Sequence, residues 1–162
     1  MSVNKFKPHV YILPEDHANE QIANGFVDHD QVQDKWVQVM RPAGGWTFVI
    51  EKFKCEYMQH LRKYNGSHLI LLIDFDGQFN TRRVAFQNEI PDDLKARVFV
   101  IGSKLTPEGL KRELGRSLEQ IGNSLANDCF ERTQATWDHD HLAHNNPDLL
   151  RLIQTVRPIL FS

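Results

Sequence analysis

Five aliphatic residues in a row, Leu69-Ile-Leu-Leu-Ile73, end without transition in Asp74-Phe-Asp76-Gly77. A run this short and this apolar has neither the alternation of a half-exposed strand nor the length of a helix, so it reads as a strand buried on both faces. Such strands belong to parallel sheets covered by helices, and in open sheets of this kind ligands bind beyond the strands' carboxyl ends. The two aspartates stand at that end. Residues one apart in an extended chain project to the same side, so Asp74 and Asp76 can offer oxygens to a hard cation such as Mg²⁺. The competing use is local, with Asp74 capping the next helix and Asp76 in a turn.

The chain on either side repeats the theme. Val10-Tyr-Ile-Leu13 is another short apolar strand, and it too runs into acid, Pro14-Glu15-Asp16. A helix is expected over 18–26 and a strand over 36–40, closed by Arg41-Pro-Ala-Gly44-Gly45. Apolar residues at Val49, Ile50, Phe53, Tyr57, Met58 and Leu61 predict one helix over 46–64, with Asn65-Gly66 as a left-handed stop. After the central strand come a helix over 81–88 and a fourth strand over 97–101, ended by Gly102-Ser103-Lys104. Thr106-Pro107-Glu108 then supplies a hydroxyl cap, a first-position proline and first-turn acid. The stripe Leu110, Leu114, Leu118, Ile121 and Leu125 carries that helix to about Cys129. A polar, loop-rich stretch over 131–146 leads to a last helix from Pro147.

Strand and helix alternate four times, which predicts an α/β fold with a mostly parallel four-stranded sheet flanked by helices on both faces. With strand one beside strand three the order is 2-1-3-4. The switch point then falls between those two strands, and Glu15 and Asp16 face Asp74 and Asp76 across it. The 162 residues are expected to form one domain, with about 130–162 as a helical extension.

Composition narrows the function classes. With 41% hydrophobic and 25% charged residues the chain is globular. A formal charge of −2 gives no global signal for nucleic acid, so any basic surface is local. Cys55 and Cys129 sit in apolar helical patterns and are expected as buried free thiols. Residues Met1 to Lys7 are polar with no apolar segment behind them, and no window approaches the roughly 20 apolar residues of a membrane span. The expected setting is soluble and cytoplasmic, with no membrane partner.

Four carboxylates converging on one crevice repel unless protons or a cation compensate, so the cluster predicts Mg²⁺ or Mn²⁺. A metal held there can neutralise phosphate oxygens and activate water. These residues resemble the Toprim domain shared by topoisomerases, bacterial primases, small RNA-maturation nucleases and OLD-type nucleases. That family places a glutamate after its first strand, a glycine-containing turn after its second and Asp-x-Asp after its third. Glu15, Gly44-Gly45 and Asp74-Phe-Asp76 stand at those places, and the likeness covers roughly 10–101. It implies a Toprim/Rossmann-like fold, Glu15 as general acid/base or metal ligand, and Asp74 and Asp76 as metal ligands, with Asp16 beside them. Many members carry Glu-Gly after strand one, often with a second acid four residues on. Here the order is Pro14-Glu15-Asp16-His17, and Glu20 lies four from Asp16 but five from Glu15. The family glutamate is thus open among Glu15, Asp16 and Glu20.

Arg82, Arg83 and Lys104 are the cations placed to contact phosphates of a nucleic acid. The expected function is Mg²⁺-dependent, nuclease-like phosphodiester chemistry. The alternative is a non-enzymatic binding or assembly module with a vestigial site, engaging a protein partner or a second copy. A phospho-receiver domain would also place paired acids after strand one, an aspartate after strand three and a Thr or Ser after strand four, and Glu15-Asp16, Asp74 and Ser103 stand at those places. Its lysine follows a fifth strand, whereas Lys104 follows the fourth. Trp137-Asp-His139-Asp-His141-Leu-Ala-His144 offers imidazoles but matches no metallohydrolase spacing, and reads as a polar loop before the Pro147 helix.

Overall fold

The computed structural model describes residues 2–161. Four parallel strands, β1 (His9–Pro14), β2 (Val37–Val39), β3 (Ser67–Asp74) and β4 (Val98–Ser103), form one sheet in the order β2-β1-β3-β4. The α/β architecture and strand order are those the alternation predicts. Ile12 registers with Val39 on one side and Ile70 on the other, and Asp74 registers with Ser103.

Each strand sends alternate residues to opposite faces, and each face has its own core. Val10, Ile12, Ile70, Phe99 and Ile101 meet α1 (His17–Val27), α5 (Pro107–Leu114), α6 (Leu118–Glu131), α7 (Asn146–Thr155) and α8 (Arg157–Leu160). Tyr11, Leu13, Leu69, Leu71 and Ile73 meet α2 (Trp46–Lys52), the π-helical turn Phe53–Tyr57, α3 (Met58–Lys63) and α4 (Phe79–Glu89). The C-terminal stretch expected as an extension completes the first of these cores, through Trp137, Leu142, Leu149, Leu152, Val156 and Leu160. Helices α1 and α6 touch backbone to backbone. A methyl group on Gly25 or on Gly122 would overlap the other helix's main-chain carbonyl.

Several local expectations need correction. The helix over 46–64 contains a π turn, because its buried residues Val49, Phe53, Tyr57 and Leu61 recur every four positions. In a pure α-helix that spacing drifts by roughly 40° per step, and one wider turn brings the stripe back to the sheet. Cys55 lies in this turn away from Phe53 and Tyr57, and is exposed rather than buried, whereas Cys129 is buried. Neither Asn65 nor Gly66 is left-handed. The helix ends at Tyr64 with φ −118°, and Gly66 instead lets the backbone of Pro8 pass, 3.1 Å from where a Cβ would sit. The helix expected over 106–129 is two helices. Gly115 takes φ +62° and ends the first, and Ser117 starts the second with a reciprocal capping box to Gln120.

Candidate functional site

Glu15 follows β1 directly, and its N–H still donates to Leu72 O (2.9 Å), which fixes it at the edge of the crevice beside β3. Its carbonyl accepts from Gly44 and Gly45 N–H (2.8 and 3.2 Å). Those glycines hold φ of +98° and +154°, a backbone that side-chain-bearing residues rarely adopt, and they turn the chain into α2. As a result the start of α2 lies near the Glu15 carboxylate, and the Trp46 N–H lowers its proton affinity slightly. The Asp74 N–H donates to Glu15 Oε2, at 2.6 Å. One buried residue, 7% exposed, thus ties the end of β1 to the end of β3 through its side chain and to the turn before α2 through its carbonyl.

Asp74 is half-buried beside it, and its Oδ1 accepts from the Asp76 N–H (2.8 Å). β3 stops at Asp74, so the side-by-side projection of an extended chain does not govern Asp76. That residue takes a left-handed φ of +46°, is exposed, and points Oδ2 toward an Arg82 guanidinium nitrogen at 3.9 Å. Burial pushes the Asp74 carboxyl up to about 7. That value already includes the charges of Glu15 and Asp76, which also raise it, and the Asp76 N–H and Arg82, which lower it. Burial likewise raises Glu15, opposed by the Asp74 N–H and assisted by the charge of Asp16.

The three acids near the end of strand one separate cleanly. Glu15 reaches Asp74. Asp16 is the N-cap of α1, its Oδ1 accepting from the Asn19 backbone (3.0 Å) and side-chain amide (2.9 Å). Glu20 accepts from His17 Nδ1 at 2.9 Å. The expected cations separate too. Arg82 is buried with its guanidinium 5.0 Å from the Trp46 ring centroid, and one terminal nitrogen donates to Asp74 O. Arg83 turns away to Asp148 (3.9 Å) and the Phe79 ring. Lys104 is exposed on the adjoining rim, where its carbonyl accepts from Gly77 N–H (2.8 Å) and its own N–H donates to His141 O (2.8 Å).

Mg²⁺ is commonly held by one or two carboxylates together with waters and substrate phosphates. Glu15 and Asp74, two crowded carboxylates with raised proton affinity, fit that mode. A self-contained cage does not form: among the described residues no group of three or more His, Cys, Asp or Glu side chains is arranged to hold a metal ion. Glu15 and Asp74 are the residues that would hold a cation, and Asp16 is engaged elsewhere.

Sequence reasoning missed Trp46, whose ring carries the Arg82 guanidinium; its place directly after Gly44-Gly45 was the available signal. It also missed the clamp on β4, where Asn145 exchanges two hydrogen bonds with Gly102 (3.1 and 2.9 Å) and His144 Nε2 donates to Gly102 O (2.7 Å). His139 and His141 both approach Glu113 Oε2, at 3.2 and 3.1 Å, and pin the polar loop to α5. A groove of about 730 Å³ runs along the free edge of β4 past Arg83, Lys95 and Arg151. Arg151 is spent there on Lys95 O, Val98 O and Asp148, so the groove carries little free charge. No helix of the described residues is long and apolar enough to cross a membrane. The chain matches no protein-family model, no curated protein and no solved structure.

Proposed function

We propose that this chain carries out divalent-cation-dependent, nuclease-like phosphodiester chemistry on nucleic acid at the Glu15–Asp74 pair. The observation that carries the reading is the pair itself, two carboxylates at the switch point whose burial raises both, Asp74 to about 7. Such groups persist side by side when a proton or a cation lies between them. Mg²⁺ or Mn²⁺ bound there would neutralise phosphoryl oxygens and acidify a bound water. Asp74 is the principal ligand. Glu15 holds or moves a proton at the reacting oxygen, with a proton affinity raised by burial. Arg82 is the fixed cation of the site, and Asp76 and Lys104 line the mouth through which a nucleic acid would approach. The Toprim-like arrangement of Glu15, Gly44-Gly45 and Asp74-Phe-Asp76 supports the same reading.

The test is cleavage of single- and double-stranded DNA and RNA with Mg²⁺ or Mn²⁺, comparing wild type with Asp74→Ala and Glu15→Gln. Metal-dependent cleavage that falls at least a hundredfold in both variants supports the reading. Equal cleavage in all three proteins, or none in wild type, overturns it.

A second reading has its own observation. Glu15 already accepts from the Asp74 main-chain N–H and Asp16 caps a helix, so these acids also serve as struts in a binding or assembly module. Thermal melting separates the two: a cation that binds the folded state raises the midpoint by mass action. No shift at millimolar Mg²⁺ or Mn²⁺ selects the module.

A further inference from the structure

The end of the sheet opposite the acidic site is built from imidazoles. His9 starts β1 and is fully buried, His68 lies buried in β3, and half-buried His60 reaches them from α3. His9 Nε2 and His60 Nε2 are 2.9 Å apart, with the two rings edge to face. Tyrosines wall the pair: Tyr11 and Tyr64 each place a ring centroid 4.8 Å from that of His60, and Tyr57 stands edge-on to Tyr11.

The contacts leave room for one hydrogen between the two rings. Lys7 O, 2.7 Å from His9 Nδ1, is a carbonyl and only accepts, so Nδ1 carries the proton and Nε2 a lone pair. His60 Nε2–H therefore donates to His9 Nε2. Protonating both rings as they stand would set two N–H groups head to head. The surrounding charges do not compensate: Lys5 and His9 act on His60, Arg97 and His9 act on His68, and Glu56 acts on Tyr57. Burial, followed by the charges of His9 and Lys5, presses His60 down to about 4. Burial also lowers His68, against its hydrogen bonds to His9 O and Gly66 O.

The pair fastens the amino-terminal arm, residues 2–8. Other holds on the arm are few. Val3 is buried in the core on the α3 side, whereas Phe6 meets the Tyr64 ring edge-on and stays 85% exposed. The Lys7 N–H is used within the arm, on Asn4 O (3.1 Å). Among the described residues, His9 Nδ1 supplies the arm's one hydrogen bond to the rest of the protein. We propose that the His9–His60 pair is an acid-sensitive latch for this arm: neutral rings hold it across the start of β1 and β3, and protonation releases it. Release opens the cluster to water, so that His60 takes a proton near its ordinary 6.5. The latch is therefore at full strength above about pH 6.5 and is lost as pH falls toward 4, each linked proton favouring release by up to about tenfold per pH unit. No residue of the acidic site takes part, so the latch stands independently of the phosphodiester reading.

Nitrogen-15 NMR of the histidine rings and the backbone, followed from pH 8 to 4.5, tests the latch in wild type and in His60→Phe, which keeps an aromatic wall that cannot be protonated. At pH 8 His9 is expected protonated on Nδ1 and bare on Nε2. As pH falls from 6 to 5, the wild-type population with mobile Phe6 and Lys7 amides should grow by about tenfold while the β1 and β3 amides stay protected. In His60→Phe it should grow less than about twofold. An arm that stays ordered to pH 4.5 in wild type, or loosens equally in His60→Phe, overturns the proposal. If His60→Phe does not fold, the wild-type spectra decide alone: arm loosening that does not track the imidazole titration, or a His9 Nε2 already protonated at pH 8, overturns it as well.

Discussion

Two aspartates of this molecule, one buried and one half-buried, have opposite surroundings. Asp128, 4% exposed near the end of α6, has a donor for each oxygen. Thr133 Oγ1 donates to Oδ1 (2.8 Å), and the Thr136 and Trp137 N–H groups donate to Oδ2 (2.7 and 3.3 Å). Asp74 has a single main-chain donor, with carboxylates at Glu15 and Asp76 for neighbours. The first arrangement is closed: the chain supplies everything the charge needs. The second is open, and its deficit is what a proton, a cation or a ligand completes. On the proposed reading, the charge left short of partners is the one a cation or ligand takes up.

The largest expected effect breaks the closed member. Asp128→Ala leaves two buried N–H groups and a threonine hydroxyl without an acceptor and should cost about 3 kcal/mol, read as a fall in denaturant midpoint. Asp74→Asn should do the reverse. Its carboxyl is raised from an ordinary 3.8 to about 7, so the native state holds a proton that the unfolded chain releases. Stability is therefore full below about pH 4 and declines as pH rises toward 7. Asparagine keeps the acceptor for the Asp76 N–H and abolishes the charge. Its melting temperature should exceed that of wild type at pH 8, the two should converge near pH 4, and the wild-type rise with millimolar Mg²⁺ should vanish. A wild type whose stability is flat between pH 4 and 8 would remove the contrast between the two aspartates.

Between these lies Arg82, whose guanidinium spans the Trp46 ring and Asp74 O. Arg82→Leu keeps much of the buried stem but strands that carbonyl and removes the positive charge that lowers both acids. A loss of about 2 kcal/mol is expected in urea melts, with the Asp74 carboxyl resonance titrating at higher pH than in wild type. An unchanged titration would show that Arg82 is a packing residue alone.

How legible all this was in the sequence differs by scale. The sheet order was readable because apolar runs of four or five residues, two of them leading into acid, leave few alternatives to parallel central strands, and the crossover lengths do the rest. The meeting of Glu15 with Asp74 followed from that order. The break at Gly115 was not read, although Gly115 and the Ser117–Gln120 box both announce it, because the leucine stripe runs across the gap in near-helical register. Cys55 was misread because its exposure depends on a π turn, which shows only when the four-residue spacing of Val49, Phe53, Tyr57 and Leu61 is followed to its geometric end. The direction of Asp76 was hidden because it depends on a left-handed residue beyond the strand, where a two-residue period no longer applies. Asp128 could not be distinguished from any other helical aspartate, since its partners come from a loop five to nine residues downstream.

Asp16 gives the smallest effect and the sharpest test of the comparison. By sequence it belongs with Asp74, one residue from Glu15 at a strand end. By surroundings it belongs with Asp128, because Asn19 gives its Oδ1 two donors at the start of α1. If satisfaction by the chain is what separates structural from ligand-seeking carboxylates, Asp16→Ala should cost about 1 kcal/mol through loss of the cap. It should also leave the Mg²⁺-induced rise in melting temperature at its wild-type size. Asp16→Asn, which keeps the acceptor, should recover most of that stability. A cation response that disappears in both variants while Asp74→Asn retains it would move the ligand to the end of β1, and donor count would no longer separate the two kinds of aspartate.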